Sequence, residues 1–299
     1  MRVFVTGASG HIGSALVPEL LSAGHEVVGL ARSDAAARKL AAAGAGVRRG
    51  DLDDGDTLRA AASAADGVIH LAFRHDLMQA GDMSRAAATD LDAINALAGA
   101  GKPFVGTSGT LLLAMVNPGE VGTEADVGTS GYRIDAENLV IGLAEGGLRS
   151  SVVRLPPVVH SERDRHGFVP NLIAIARRRG FAAYVGDGAQ RWPAVHTLDA
   201  ARLYRLALES APGGSRLHGV ADEGVTLRLI AETIARSLEC PVRPLSPENA
   251  ADYFEFLAPL VQMDNPTSSV RTREAVGWRP EHPGLLADLD AGHYFDSTA

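Results

Sequence analysis

The stretch TGASGHIG, residues 6–13, decides the fold. Glycines stand at 7, 10 and 13, with Ser9, His11 and Ile12 among them. Directly before it, RVFVT is a short β-rich apolar run. Directly after, HIGSALVPELLSAG places apolar residues at helical spacing and ends on glycine. A tight strand-to-helix turn needs glycine, and a pyrophosphate lying close to it needs backbone without a Cβ in the way. The helix start then offers free N–H groups to the anion. In this context the pattern predicts that Gly7, Ser9, Gly10, His11, Ile12 and Gly13 cradle a dinucleotide.

Strand and helix alternate from there to about residue 155. EVVGLAR, VRRGDL, GVIHLAF, KPFVGTSG and SSVVRLPPVV read as strands. DAAARKLAAAG and other alanine-rich stretches between them read as helices. This order predicts an α/β fold, a doubly wound parallel sheet of Rossmann type covered on both faces. Its near-continuous apolar strands suit burial on both sides. Later the pattern loosens. FVPNLIAIARRRG, LDAARLYRLALES, VTLRLIAETIARSLE and PENAADYFEFLAPL are expected as helices, AAYVGDG and RLHGV as strands. Residues 1–160 are therefore expected to form the dinucleotide-binding domain. Residues 161–299 are expected to be mostly a small substrate-binding lobe, with segments returning to the sheet.

Composition narrows the partners. A net charge of −8 argues against nucleic acid and anionic membrane. The single cysteine, Cys240, has no internal disulfide partner, which suits a reducing cytoplasm. No apolar run approaches the ~20 residues of a membrane span. The chain enters a strand at once, which leaves no room for a signal peptide. A cytoplasmic protein is expected. No cluster has metal-ligand spacing, and there is no P-loop or nucleophile elbow.

The second strand ends GLARSD. An acid there would bind the ribose 2′-hydroxyl of NAD, whereas a basic residue accommodates the 2′-phosphate of NADP. Ala31 fills the slot, and Arg32 and Ser33 follow, so NADP is expected ahead of NAD. Asp34 speaks for NAD. Asp51 and Leu52, after the third strand, are placed to border the adenine.

These stretches resemble the short-chain dehydrogenase/reductase superfamily, in its extended and atypical branch, the NAD-dependent epimerase/dehydratase family. TGASGHIG looks like its nucleotide turn. GVIHLA resembles the fourth strand, whose end, at Leu71 and Ala72, lines the cofactor. FVGTSGT resembles the fifth strand with its hydroxyl cluster, Thr107, Ser108 and Thr110. VVRLPPVVH is similar to the strand and proline turn that bring Pro156 and Val158 to the nicotinamide. PAVHTLDAARL and SSVRTREAVGWRP are similar to the later Val-His-x-x-Asp-x-Ala stretch and the C-terminal tail. The resemblance covers nearly the whole chain and implies an oxidoreductase.

It breaks at GTSGYRIDAENLV, residues 128–140. The family uses a tyrosine and, one helical turn on, a lysine whose charge favours phenolate. Aligning Tyr132 with the tyrosine puts Ala136 in the lysine slot. Aligning Arg133 with the lysine matches Glu137 to a later acid and leaves Thr129 in the tyrosine slot; spacing to the next strand favours this one. Neither keeps the pair. With a helix starting near Thr129, Tyr132 or a hydroxyl among Thr107, Ser108 and Thr110 is expected to supply the proton. Arg133 is expected to supply fixed charge or to hold the nicotinamide ribose. Arginine itself stays protonated.

At the substrate end, His160 follows the double proline and could donate a proton. Phe168, Tyr184 and Trp192 could wall a mostly apolar pocket. The expected function is NADP-dependent reduction of a carbonyl or imine in a small, fairly apolar molecule. A non-catalytic NADP(H) redox sensor and a nucleotide-sugar epimerase or dehydratase are the alternatives. A helix-mediated homodimer is compatible with the resemblance.

Overall fold

The computed structural model describes residues 1–296. In chain order the strands are β1 (Arg2–Thr6), β2 (Glu26–Ala31), β3 (Gly46–Arg49), β4 (Gly67–His70), β5 (Phe104–Gly109), β6 (Ser150–Leu155), β7 (Val158–His160), β8 (Ala182–Val185), β9 (Arg191–His196), β10 (Ser215–His218), β11 (Asp222–Thr226) and β12 (Val242–Leu245). Seven of them form one sheet in the order β10-β6-β5-β4-β1-β2-β3, every neighbouring pair parallel. The order reverses between β1 and β4, and in a doubly wound sheet a ligand binds beyond the strand ends at that point.

Alternation along each strand builds two cores. Val3 and Val5 point to one face of the sheet. There they join Leu16 and Leu20 of the His11–Ser22 helix, and Leu203, Tyr204 and Leu208 of the Thr197–Ser210 helix. Phe4 points to the other face, with Leu58, Ile94, Leu97, Ala136 and Val140 from the 55–63, 83–98 and 132–142 helices. Both faces being covered explains why these strands are apolar without a break. The edge strand β3 is exposed along its length and carries Arg48 and Arg49, charges that blunt an open edge.

The later chain returns to the sheet through the Thr197–Ser210 helix and β10. The remainder forms a lobe with its own core, built from the 168–179, 227–238 and 285–290 helices around two small sheets, β11-β9-β7 and β12-β8. The helix expected over PENAADYFEFLAPL is broken into short turns. Glu255 adopts φ +56°, a left-handed conformation that ends the Ala250–Phe254 helix. No helix of the described residues is long and apolar enough to cross a membrane.

Candidate active site

Gly7 sits at φ +67°, and a Cβ there would lie 2.8 Å from the Ala72 nitrogen and 3.0 Å from the Leu71 carbonyl carbon. Glycine is therefore required twice over, for the turn and for the approach of β1's end to β4's. At Gly13 a Cβ would meet the Gly7 oxygen at 2.3 Å and the Ala8 oxygen at 2.5 Å. Gly10 N–H donates to the Gly7 carbonyl at 3.0 Å, and Gly10 then caps the His11–Ser22 helix without any side-chain acceptor. The first amides of that helix, around His11, Ile12 and Gly13, are left to an anion; Ser9 is part-buried in the same turn. This cradle of glycines and uncapped amides fits the pyrophosphate of a nicotinamide dinucleotide. The His11 ring turns toward the later chain and meets Thr197 Oγ1 at 2.8 Å. Burial, with Arg163 and His160 nearby, pulls its pKa down to about 4, so the imidazole is neutral at pH 7.

After the end of β2, Arg32 is 61% exposed. Its nearest acids are Asp76 at 3.6 Å and Asp51 at 3.9 Å. Both distances exceed hydrogen-bond range, so the guanidinium keeps its donors. Ser33 is a helix cap: its hydroxyl accepts Ala36 N–H at 3.2 Å. Asp34 is paired with Arg49. Asp51 accepts the Leu52 amide at 2.6 Å, and Leu52 itself lies in the core.

Beyond β4 and β5, the structure brings together residues that the sequence did not link. His70 Nδ1 meets Thr6 Oγ1 at 2.6 Å, and Nε2 meets Asp90 Oδ1 at 3.1 Å. Asp90 accepts from Arg133 Nη1 at 3.2 Å, and Arg133 Nη2 donates to the Thr107 carbonyl at 2.8 Å. The guanidinium also lies 4.5 Å from the centroid of the Phe73 ring. Thr107 Oγ1 donates to the His70 carbonyl at 2.7 Å. It therefore accepts from the Tyr204 hydroxyl, 2.9 Å away. Burial pushes the Tyr204 pKa above its ordinary value. The Thr107 proton is thereby committed to the His70 carbonyl. His70, Asp90, Phe73 and Tyr204 are the site residues missed. Asp90 alone had a signal, as an acid among the apolar positions of its helix.

The other expected hydroxyls divide. Thr110 is buried and accepts Asn265 Nδ2 at 3.0 Å. The Ser108 hydroxyl is buried against Glu137 and makes no hydrogen bond of good geometry. Tyr132 is 53% exposed. The helix starts at Tyr132, not near Thr129, because Gly131 at φ +139° ends the preceding loop. Ala136 packs in the core under the sheet, so a lysine there would be buried away from the cleft. Arg133 reaches the cleft one turn earlier. Glu137 is wholly buried. It accepts from Arg154 Nε at 2.9 Å and from Arg216 Nε at 2.8 Å. Burial works against its ionised form, but these guanidinium bonds hold its carboxyl below the usual range.

The expected pocket residues lie deeper than a cleft wall. Trp192 and Tyr184 are packed in the lobe core, and Phe168 lies against Trp192, with ring centroids 5.6 Å apart. Apolar aromatic character reflects lobe packing here. His160 is fully buried, with Nδ1 2.8 Å from Asp288 Oδ2 and Nε2 without a partner. Pro156 is buried just after β6, and Val158 pairs with Ala194 in the β7–β9 ladder.

Residues 3–217 match the sequence profile of the NAD dependent epimerase/dehydratase family. The chain belongs to this family. An uncharacterized protein of Schizosaccharomyces pombe is 45% identical over 99% of this chain and 100% of its own length. A 4-hydroxy-2-methyl-3-oxo-4-farnesyl-3,4-dihydroquinoline-1-oxide ketoreductase of Stigmatella aurantiaca is 29% identical over 72% of this chain and 66% of its own. Among solved structures, the dTDP-glucose 4,6-dehydratase DesIV of Streptomyces venezuelae, determined with NAD bound, superposes with a TM-score of 0.78. It covers 99% of this chain and 98% of its own at 20% identity, a likeness of fold. The family is one of nicotinamide-dinucleotide-dependent enzymes, and DesIV was determined with NAD bound.

Proposed function

We propose that the protein is an NADP-dependent reductase acting on the carbonyl or imine of a small, fairly apolar molecule. The observation that carries this reading is Arg133, a fixed cation anchored beyond β4 and β5 by Asp90, the Thr107 carbonyl and the Phe73 ring. A nicotinamide bound there supplies the hydride. The glycine turn would hold its pyrophosphate and Arg32 its 2′-phosphate. Arg133 would hold the nicotinamide ribose and stabilise negative charge on the substrate oxygen. Among the hydroxyls expected to supply the proton, Tyr132 is the exposed one, next to Arg133 in the chain. It takes the role of proton donor, since Thr107 and Thr110 are already bonded and Ser108 is buried. The ketoreductase activity of the Stigmatella relative supports reduction over epimerisation.

A second reading, a non-catalytic NADP(H) sensor, is favoured by the position of Ala136, which leaves no lysine in the cleft. Oxidation of NADPH with a panel of ketones, aldehydes and imines separates the two. The reductase reading expects turnover with at least one compound class, faster with NADPH than with NADH. Tight cofactor binding with no turnover across the panel would leave the sensor.

A further inference from the structure

The Asp90 carboxylate is buried, yet both its oxygens are engaged by side chains from other elements. Oδ1 faces His70 Nε2 at the end of β4, and Oδ2 faces Arg133 Nη1 on the 132–142 helix. The His70 ring is itself fixed. Ala72 N–H donates to Thr6 Oγ1 at 3.3 Å, and Thr6 meets His70 Nδ1 at 2.6 Å. One tautomer satisfies every group in this chain: Thr6 O–H donates to Nδ1, and Nε2–H donates to Asp90. Thr6 directly precedes Gly7, and the Ala72 nitrogen is the atom that a Cβ on Gly7 would strike. A continuous hydrogen-bonded path therefore runs from the glycine turn to the guanidinium of Arg133.

We propose that Asp90 is a positioning residue that, seated on His70, holds Arg133 where the nicotinamide ribose lies. This rests on the cofactor-holding role given to Arg133 above. The physical reason is freedom. An arginine side chain loses much rotamer entropy when fixed. Here Asp90, the Thr107 carbonyl and the Phe73 face hold it before any ligand arrives. The ordering cost is then met by the fold and not by the cofactor. Asp90 also neutralises the guanidinium in part, so the site carries a directed donor and less net charge.

The test compares two probes. The first is whichever of NADPH and NADH binds the unsubstituted protein more tightly. The second is its adenosine half, 2′,5′-ADP or ADP, which ends before the nicotinamide ribose. Asp90→Asn keeps the shape and removes the charge. It should weaken the dinucleotide by about 10- to 100-fold, the scale of a charge-assisted hydrogen bond, and leave the half-cofactor unchanged. Arg133→Met should give the same split, and the double variant should be no weaker than Arg133→Met alone, because Asp90 acts through Arg133. Equal weakening of both probes means that Asp90 only supports the fold, and it overturns the proposal. So do unchanged binding of both and full additivity in the double variant. The comparison needs no turnover. A protein that never oxidises NADPH but shows the split keeps this inference and loses the reductase reading.

Discussion

At the scale of single residues, Arg32 and Tyr132 carry the two assignments that chemistry can test one at a time. Arg32 has no hydrogen-bonded partner, and its nearest acids stand at 3.6 and 3.9 Å. Arg32→Glu should weaken NADPH by about 10- to 100-fold and leave NADH nearly unchanged, as read by titration with each. A parallel loss for both cofactors would place Arg32 outside the 2′-phosphate site. Tyr132→Phe should lower kcat by about 100-fold or more with KM little changed, the scale of a lost general acid. A wild-type rate would remove Tyr132 from the chemistry. What was legible at this scale follows from backbone demand. Gly7 and Gly13 are required by their own surroundings, and the local pattern carries that requirement. His70 and Tyr204 were not legible, because their roles depend on distant partners: Tyr204 meets Thr107 across 97 positions in sequence; Asp90 showed only as an acid among the buried positions of its helix. Trp192 and Tyr184, expected at a pocket wall, are packed in the lobe core, since an aromatic residue does not announce which side of a lobe it faces.

At the scale of elements, the glycine turn and the 132–142 helix decide the site. A Cβ at Gly13 would stand 2.3 Å from the Gly7 oxygen, and backbone cannot yield by that much locally. Gly13→Ala should abolish dinucleotide binding and lower the melting temperature; tight binding in this variant would mean the turn is not the cradle. The phase of the 132–142 helix is set by Gly131, which starts it at Tyr132 and sends Ala136 inward and Arg133 outward. Sequence spacing showed the helix, and it also favoured Arg133 in the lysine slot. The helix start itself was placed about three residues early, because the turn at Gly131 is a matter of backbone angle. Glu137, on the same helix, meets Arg154 where both side chains are fully buried. Glu137→Ala leaves that guanidinium uncompensated and should cost about 3–5 kcal/mol in chemical denaturation. A cost below about 1 kcal/mol, the level of a surface pair, would contradict the buried pairing.

At the scale of the whole molecule, the later chain is wound back into the first domain. β10 completes the main sheet, and the Thr197–Ser210 helix packs against the helix that follows the glycine turn. Alternating strands and helices made the sheet legible early. Of the short strands of the lobe, AAYVGDG held β8, whereas β9, β11 and β12 were not read, because they owe their pairing to neighbours far along the chain. Two imidazoles tie these parts together: part-buried His11 with Thr197, and buried His218 with Ser268 and Arg154. Burial lowers both from 6.5 to about 4. The unfolded chain takes up these protons first as pH falls. Their contribution is therefore complete above about 6.5 and is lost progressively toward about 4. Asp164, whose carboxyl burial pushes up, works in the opposite sense but is a single group. Thermal unfolding should give a lower melting temperature at pH 5 than at pH 7.5. An equal or higher value at pH 5 would mean that these histidines are not buried as neutral rings.

The proposed function places a dinucleotide from Arg32, across the glycine turn, to Arg133. The most direct test is calorimetric titration of the purified protein with NADPH and with NADH. The expected result is saturable binding at one site per chain, tighter for NADPH. Absence of binding heat with both coenzymes at several temperatures would contradict the account at its base.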